Sequence, residues 1–331
     1  MAEVAARAGV SISTVSHVLN QTRFVSTETT ERVRQAVLEL GYSPNALARS
    51  LASSSTRLLG VIMCAAQNDF FSPLFSAVED AAHQAGYSIL LADSHDSVEL
   101  EAFRVREMLG NQVAGMIVIP AGTGSKPMLD TLLARELPTV IVDRCSDDRF
   151  DQVGSENTRA TAELVTHMAV HGHRRIGFIR GRLALSTTTE RLAGYQQGVM
   201  ANGLDYDQRL VISGESSSSG AARATLTLLS LADPPTALIS GNNDMTIGML
   251  RGLRDLHAKI PEQVAIAAYD DIGLPDFVQP GLTVAAQPVA EIGRTAVSLL
   301  LSRIAHPGAP VRRLYIDPAF IPRGSCGCPR R

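Results

Sequence analysis

Two groups of side chains in this sequence carry recognition chemistry. The first lies in Ala5 to Asn20, AARAGVSISTVSHVLN. Placing Val15, Val18 and Leu19 on the inner face of a short helix leaves Ile12, Ser13, Ser16 and His17 pointing elsewhere. An aliphatic tip, two hydroxyls and an imidazole on a short helix are groups that meet base edges in a major groove. The second group is Asn68, Asp69, Phe70, Phe71, Asp93, Asp143, Asn243, Asp244, Asp270 and Asp271, which follow the ends of apolar runs. Carboxylates accept hydrogen bonds, amides accept and donate, and aromatic rings cover apolar faces, so the set carries groups that can meet a ligand.

The first group needs two helices and a tight turn. Ala5 lets the helices approach, Gly9 supplies a turn with φ above zero, Ser11 is placed to cap the second helix, and Val15 packs it back. Ser26 opens a third helix with Glu28 and Glu31 early in it, a stripe of Val33, Ala36, Val37 and Leu40, and a stop at Gly41. The expected core of this headpiece is Val4, Ala5, Val15, Val18, Val33, Val37 and Leu40. Ser43-Pro44-Asn45 then opens a two-turn helical segment, too short to stand alone in water, before the flexible joint Ser53-Ser54-Ser55.

From Leu58 the pattern changes. Apolar runs at 58–63, 88–92, 115–120, 139–143, 175–179, 236–240 and 264–270 alternate with helical stretches near 73–86, 98–110, 126–135, 157–171, 190–202, 219–231, 244–257 and 288–304. Apolar runs without alternation, each followed by a helix, are buried parallel strands of doubly wound α/β sheets. Ligands bind such sheets beyond the carboxyl ends of the strands, where the second group lies.

Composition sets outer limits. At 331 residues the chain holds two or three domains, and a net charge of −3 argues against a protein that coats nucleic acid or membrane over its whole surface. Residues 1–57 carry six Arg and four Glu, so +2, leaving −5 for the rest. Cys64, Cys145, Cys326 and Cys328 lack the paired CxxC spacing of a zinc site, and Cys326-Gly-Cys328 reads as incidental. With no signal peptide and no long apolar run, the chain is expected in a reducing cytoplasm, away from membranes. His171 and His173 read as a helix end favoured by positive charge rather than as metal ligands. GTGSK at 122–126 is half a phosphate loop followed by Pro127, a weak signal.

Over essentially its whole length the sequence resembles the lactose and galactose repressor (LacI/GalR) family. The motifs that carry the resemblance, in order, are VAARAGVSISTVSHVLN, VSTETTERVRQAVLELGYSPNALARSL, NDFFSPLFSAVEDAAHQAGY, ERLAGY, GNNDMTIGMLRGL and AIAAYDDI. The resemblance implies a helix-turn-helix headpiece at 1–43, a hinge helix and linker at 44–57, and an effector-binding and dimerisation domain at 58–331. That domain has the two-lobed fold of periplasmic binding proteins, with an N-lobe of about 58–155 and 288–316 and a C-lobe of about 156–287 and 317–331.

The resemblance also implies a ligand-responsive regulator, most naturally a repressor, that binds pseudo-palindromic double-stranded operator DNA as a homodimer in the nucleoid. Ile12, Ser13 and His17 fall where the family reads bases, and Ser11, Thr14, Ser16 and Asn20 where it meets phosphates. Asn45, Ala48 and Leu51 fall in the hinge, Ala48 and Leu51 at the minor-groove positions with Leu51 as the wedge. In the effector cleft it points to Arg191 and Asp270 first, then Asn243, Asp143, Phe70, Phe71 and Asp93, a set suited to a sugar or sugar acid. Glu215 stands at a cleft position where relatives often carry a stacking aromatic, which counts against a flat effector.

His17 replaces the Arg common at its position, and no Ser or Thr precedes the first helix to cap it, which implies a late start or a frayed end. The tail from Gly324 has no leucine heptad, so a dimer is expected rather than a tetramer. No cofactor, metal or catalytic residue is expected. The rival readings are a plain solute-binding protein and an enzyme on the same scaffold; Phe70 and Phe71 also read as core, and Asp270 and Asp271 as caps.

Overall fold

A computed structural model describes residues 1–20, 23–42, 56–65, 68–272 and 279–328, and of Asn20 the backbone only. The hinge positions Asn45, Ala48 and Leu51 lie outside the described residues. The chain divides into two compact units, Met1–Thr56 and Arg57–Arg331.

In the first unit the described helices are α1 (Ala2–Ala8), α2 (Ile12–Asn20) and α3 (Thr27–Glu39). Gly9 ends α1 at φ +64, and Val10 N–H donates to Ala5 O at 3.0 Å, the closure that lets the chain turn into α2. Val4, Ala5, Ala8, Val15, Val33 and Ala36 are buried together, with Val10, Val18, Leu19, Val37 and Tyr42 packed around them. Leu40, expected in this core, is instead 43% exposed. It is the cap of α3, and the left-handed turn at Gly41 (φ +56) carries Tyr42 onto the core in its place, Tyr42 N–H donating to Val37 O at 3.0 Å.

The second unit contains two six-stranded sheets. The chain runs β1 (Leu58–Met63), α4 (Phe71–Gln84), β2 (Ser88–Asp93), α5 (Val98–Gly110), β3 (Gly115–Val118), α6 (Lys126–Ala134), β4 (Thr139–Val142) and β5 (Asp151–Ser155). It continues through α7 (Thr158–Val170), β6 (Ile176–Arg180), α8 (Ser186–Ala201), β7 (Val211–Ser213), α9 (Ser218–Leu229), β8 (Ala237–Ser240), α10 (Asn243–Asp255) and β9 (Ala265–Tyr269). The last elements are β10 (Thr283–Ala286), α11 (Val289–Ala305), β11 (Arg313–Ile316) and β12 (Ala319–Ile321).

Strand order is β11-β5-β4-β3-β1-β2 in one sheet and β12-β10-β9-β8-β6-β7 in the other. The pairs are parallel except β10 with β12. The chain therefore passes between lobes after β5, after β10 and after β11, and α11 packs on the first sheet beside α4.

Apolar runs lie where burial is two-sided: β3, β4, β8 and β9 are buried along their whole length. The strands absent from the sequence reading are β5, β7, β10, β11 and β12. β5 opens with Asp151, 1% exposed, which accepts from Arg303 Nε at 2.9 Å and from Arg312 N–H at 2.7 Å. A satisfied buried charge at a strand end interrupts the apolar run by which strands are recognised. Facing helices meet through glycine: a Cβ on Gly194 of α8 would lie 2.1 Å from Thr158 O, and one on Gly248 of α10 2.1 Å from Ser218 O.

Cys64 and Cys145 are free and buried, and burial pushes both thiols well above their ordinary range. Cys326 and Cys328, read as incidental, are joined by a disulfide. Among the described residues no helix is long and apolar enough to cross a membrane.

Candidate functional site

On the first unit, α2 presents the side chains that the sequence singled out. Ser11 Oγ accepts from Thr14 N–H at 3.1 Å, which caps α2, and lies 2.8 Å from both Ser13 Oγ and Thr14 Oγ1. Ile12 is 52% exposed and Ser13 is exposed, while Thr14, Ser16 and His17 are half-buried along the same helix. The opposite face is held by Val15, fully buried. Arg32 of α3 donates to the carbonyl of Ala8 and, at 3.3 Å, to that of Gly9, tying α3 to the turn before α2.

In the second unit a cavity opens where the carboxyl ends of both sheets face each other. Its lining includes Phe70, Phe71, Asp96, Asp143, Arg144, Thr187, Thr188, Arg191, Ser216, Asn243, Asp270 and Gln287. Asp143 and Asp270 occupy matching places in the two lobes, each just beyond the end of a central strand, β4 or β9. Both are in the left-handed region, φ +62 and +76, and both are held by the next strand: Asp143 N–H donates to Val153 O at 2.9 Å, Asp270 N–H to Ala285 O at 3.0 Å. Such a backbone costs about 1–3 kcal/mol per residue and recurs where a side chain must be aimed at a ligand.

Asp270 accepts from Asn243 N–H at 3.1 Å and from Gln287 Nε2 at 2.6 Å. Burial pushes the Asp143 carboxyl above the usual carboxylate range, against the opposing pull of the Arg144 and Arg191 guanidinium groups. Arg191 is 6% exposed, donates from Nε to Asn157 Oδ1 and from Nη1 to Gly241 O, each at 2.7 Å, and stacks 3.7 Å from the centroid of Tyr269. Those bonds use two of its five N–H donors and fix the guanidinium plane against the cavity.

Direct bonds join the lobes across the cleft. Asn68 and Asn243 exchange amide hydrogen bonds of 3.1 and 2.7 Å, and Asn68 Nδ2 donates to Asp244 Oδ2 at 2.8 Å. Asp96 accepts from Arg144 of its own lobe at 2.6 Å and from Arg182 of the other at 2.5 Å. Thr123 N–H donates to Ala184 O at 3.0 Å.

Of the eight cleft residues taken from the sequence, Phe70, Phe71, Asp143, Arg191, Asn243 and Asp270 line this cavity. Phe70 and Phe71 pack edge to face at 5.0 Å, so each ring serves both cavity wall and core. Asp93 and Glu215 lie outside the lining. Asp93 turns back to accept from His95 N–H at 2.7 Å, and the neighbours Asp96 and Ser216 take the places facing the cavity. Asp96, Arg144, Thr187, Thr188, Ser216 and Gln287 also line it without standing out in the sequence, and Arg182 reaches Asp96 from the other lobe. Arg144, directly after Asp143, is the one that a strand-end reading had within reach.

A helix-turn-helix unit joined to a two-lobed α/β unit with a polar cleft defines a ligand-responsive transcription regulator. Residues 1–45 match the profile "Bacterial regulatory proteins, lacI family", and residues 165–326 match that of a periplasmic binding protein-like domain. The ribose operon repressor of Escherichia coli (strain K12) is 33% identical over 326 residues, 98% of this chain and 99% of that protein. The lac repressor dimer bound to operator and the anti-inducer ONPF superposes with a TM-score of 0.87 at 25% identity, over 98% of this chain and 97% of that one. The transcriptional regulator CelR in complex with cellobiose superposes with a TM-score of 0.76 at 27% identity, over 98% of both chains. The chain belongs to the lacI family of bacterial regulatory proteins. It is a ligand-responsive, DNA-binding transcriptional repressor and not an enzyme.

Proposed function

We propose that the protein acts in the cytoplasm, on the nucleoid, as a homodimer on a pseudo-palindromic operator, and that a sugar or sugar acid in the interlobe cleft controls its hold on DNA. The domains in this reading are a headpiece at 1–43, a hinge at 44–57 and an effector domain at 58–331. Ile12, Ser13 and His17 meet base edges, with the exposed aliphatic tip of Ile12 suited to a thymine methyl group. Ser11, Thr14, Ser16 and Asn20 meet phosphate, Asn45 belongs to the DNA-binding hinge, and Ala48 and Leu51 enter the minor groove. One short recognition helix contacts few base pairs, so two copies on paired half-sites supply the affinity.

The observation that carries the effector reading is the convergence of Asp143, Asp270, Arg191 and Asn243 on one cavity at the strand ends. Carboxylates accept from ligand hydroxyls, while the guanidinium and amide donate to ring or acid oxygens. The ribose operon repressor and the cellobiose complex among the relatives support a sugar. Asp96 and Ser216 replace Asp93 and Glu215 as the proposed contacts.

Because lobe closure and DNA hold are one coupled equilibrium, operator and effector must change each other's affinity by the same factor. A thermal-shift screen over pentoses, hexoses, sugar acids and nucleosides identifies the effector, and selection from random duplexes supplies an operator. Titrating the hit by calorimetry with and without saturating operator is expected to give different affinities. Equal affinities overturn the mechanism.

A further inference from the structure

The turn at 324–328 meets α7 in a cluster that neither the recognition helix nor the cleft uses. His167 and His171 stand one helical turn apart, and Cys328 Sγ lies 3.1 Å from His167 Nε2 and 3.2 Å from His171 Nε2. The three ligand atoms lie within 4.8 Å of one another. Cys326, fully buried, is covalently joined to Cys328.

The cluster is built rather than adventitious. Ser325 fastens the turn under the second sheet, its Oγ donating to Ile266 O at 2.7 Å and accepting from Thr283 N–H at 2.9 Å. Gly327, at φ +80, then turns Cys328 back toward α7. His171 Nδ1 is 2.8 Å from His167 O, the outer bond that places the proton on Nδ1 and directs the Nε2 lone pair into the cluster. The Phe320 ring lies edge-on 4.9 Å from His167 and covers that side.

We propose that, once a small-molecule dithiol has opened the disulfide by thiol–disulfide exchange, giving two thiols here and leaving as its own cyclic disulfide, His167, His171, Cys326 and Cys328 hold one zinc-class divalent cation that staples the turn at 324–328 to α7. Two imidazole nitrogens and two thiolates form a borderline-soft tetrahedral set, and His167-x3-His171 has the spacing of known zinc pairs. Among the described residues the cluster offers no carboxylate, so it does not suit oxygen-seeking cations such as Mg2+ and Ca2+. Binding sends the two thiol protons to solvent. The disulfide and the metal compete for the same sulfurs, so the oxidised chain holds no ion. The sequence did not show this because His167 and Cys328 are 161 residues apart and Cys-Gly-Cys lacks the customary spacing.

The test uses the full chain without a histidine tag, reduced with a small-molecule dithiol, desalted under nitrogen and titrated with Co2+ as a spectroscopic substitute for Zn2+. The expected result is one equivalent of tetrahedral cobalt with a thiolate-to-cobalt band, bleached by Zn2+ and absent from the oxidised chain. Cys64 and Cys145 are buried, so they do not supply that band. In the double variant His167→Gln/His171→Gln the affinity is expected to fall by more than about tenfold, since losing a ligand exceeds losing its outer support. His171→Gln alone, at an exposed helix end, gives the same direction should the double variant misfold. Zn2+ is expected to raise the melting temperature of the reduced wild type and not of the variants. No thiolate-to-cobalt band in the reduced wild type, or a band of wild-type affinity in a folded variant, overturns the proposal.

Discussion

Replacing Arg182 by methionine should loosen the cleft without disturbing either lobe. Arg182 reaches across to Asp96 at 2.5 Å, and the pair is partly exposed, 36% for the arginine side chain and 25% for the aspartate. Asp96 keeps its bond to the buried Arg144, so the substitution leaves no charge stranded. A buried charge-assisted hydrogen bond contributes about 1.5–3 kcal/mol and an exposed pair about 0.2–1, so this half-exposed pair is worth about 1 kcal/mol of closure. That lowers the closed-to-open ratio about fivefold, and the effector affinity by up to the same factor where the open form prevails. Asn68→Ala removes three cross-lobe bonds, to Asn243 and Asp244, and should cost about 2 kcal/mol, or about 30-fold. Small-angle scattering of the ligand-free chain and calorimetry with the screened effector measure the two consequences. Unchanged scattering and unchanged affinity in both variants would refute the view that these bonds hold the lobes together.

Gly194→Ala reverses the sign that helix propensity assigns to it. Alanine gains about 1 kcal/mol in an exposed helix, but here its Cβ would stand 2.1 Å from Thr158 O, so α7 and α8 must part at a cost of about 1–3 kcal/mol or more. Urea denaturation should show a net loss, and an equally stable variant contradicts the packing. Asp143→Asn tests the price of the buried carboxyl. Its raised folded pKa means that stability falls as pH climbs from the unfolded value of about 3.9 through the folded one. The asparagine variant should therefore melt higher than wild type at pH 7, lose that advantage at acid pH, and bind effector more weakly. A lower melting temperature at pH 7 would show that the ionised form is net stabilising.

Local sequence determined most of the architecture. Caps at Ser11 and Ser26, stops at Gly9 and Gly41, and apolar runs such as 58–63 and 139–143 act over a few residues, and their chemistry is written in the neighbours they need. The matching aspartates Asp143 and Asp270 were legible for the same reason, since a strand that ends at a cleft must place its next residue there.

What the tertiary structure decided is direction across distance. Asp93 or Asp96, and Glu215 or Ser216, are separated by one or a few residues, and a left-handed turn in each loop chooses which one faces the cavity. Leu40 gives way to Tyr42 because one positive φ at Gly41 redirects the chain. The Asp96–Arg182 pair and the meeting of His167, His171 and Cys328 join segments far apart in sequence. No periodicity records such contacts, because the free energy that brings them together belongs to the packing of the sheets and helices between them.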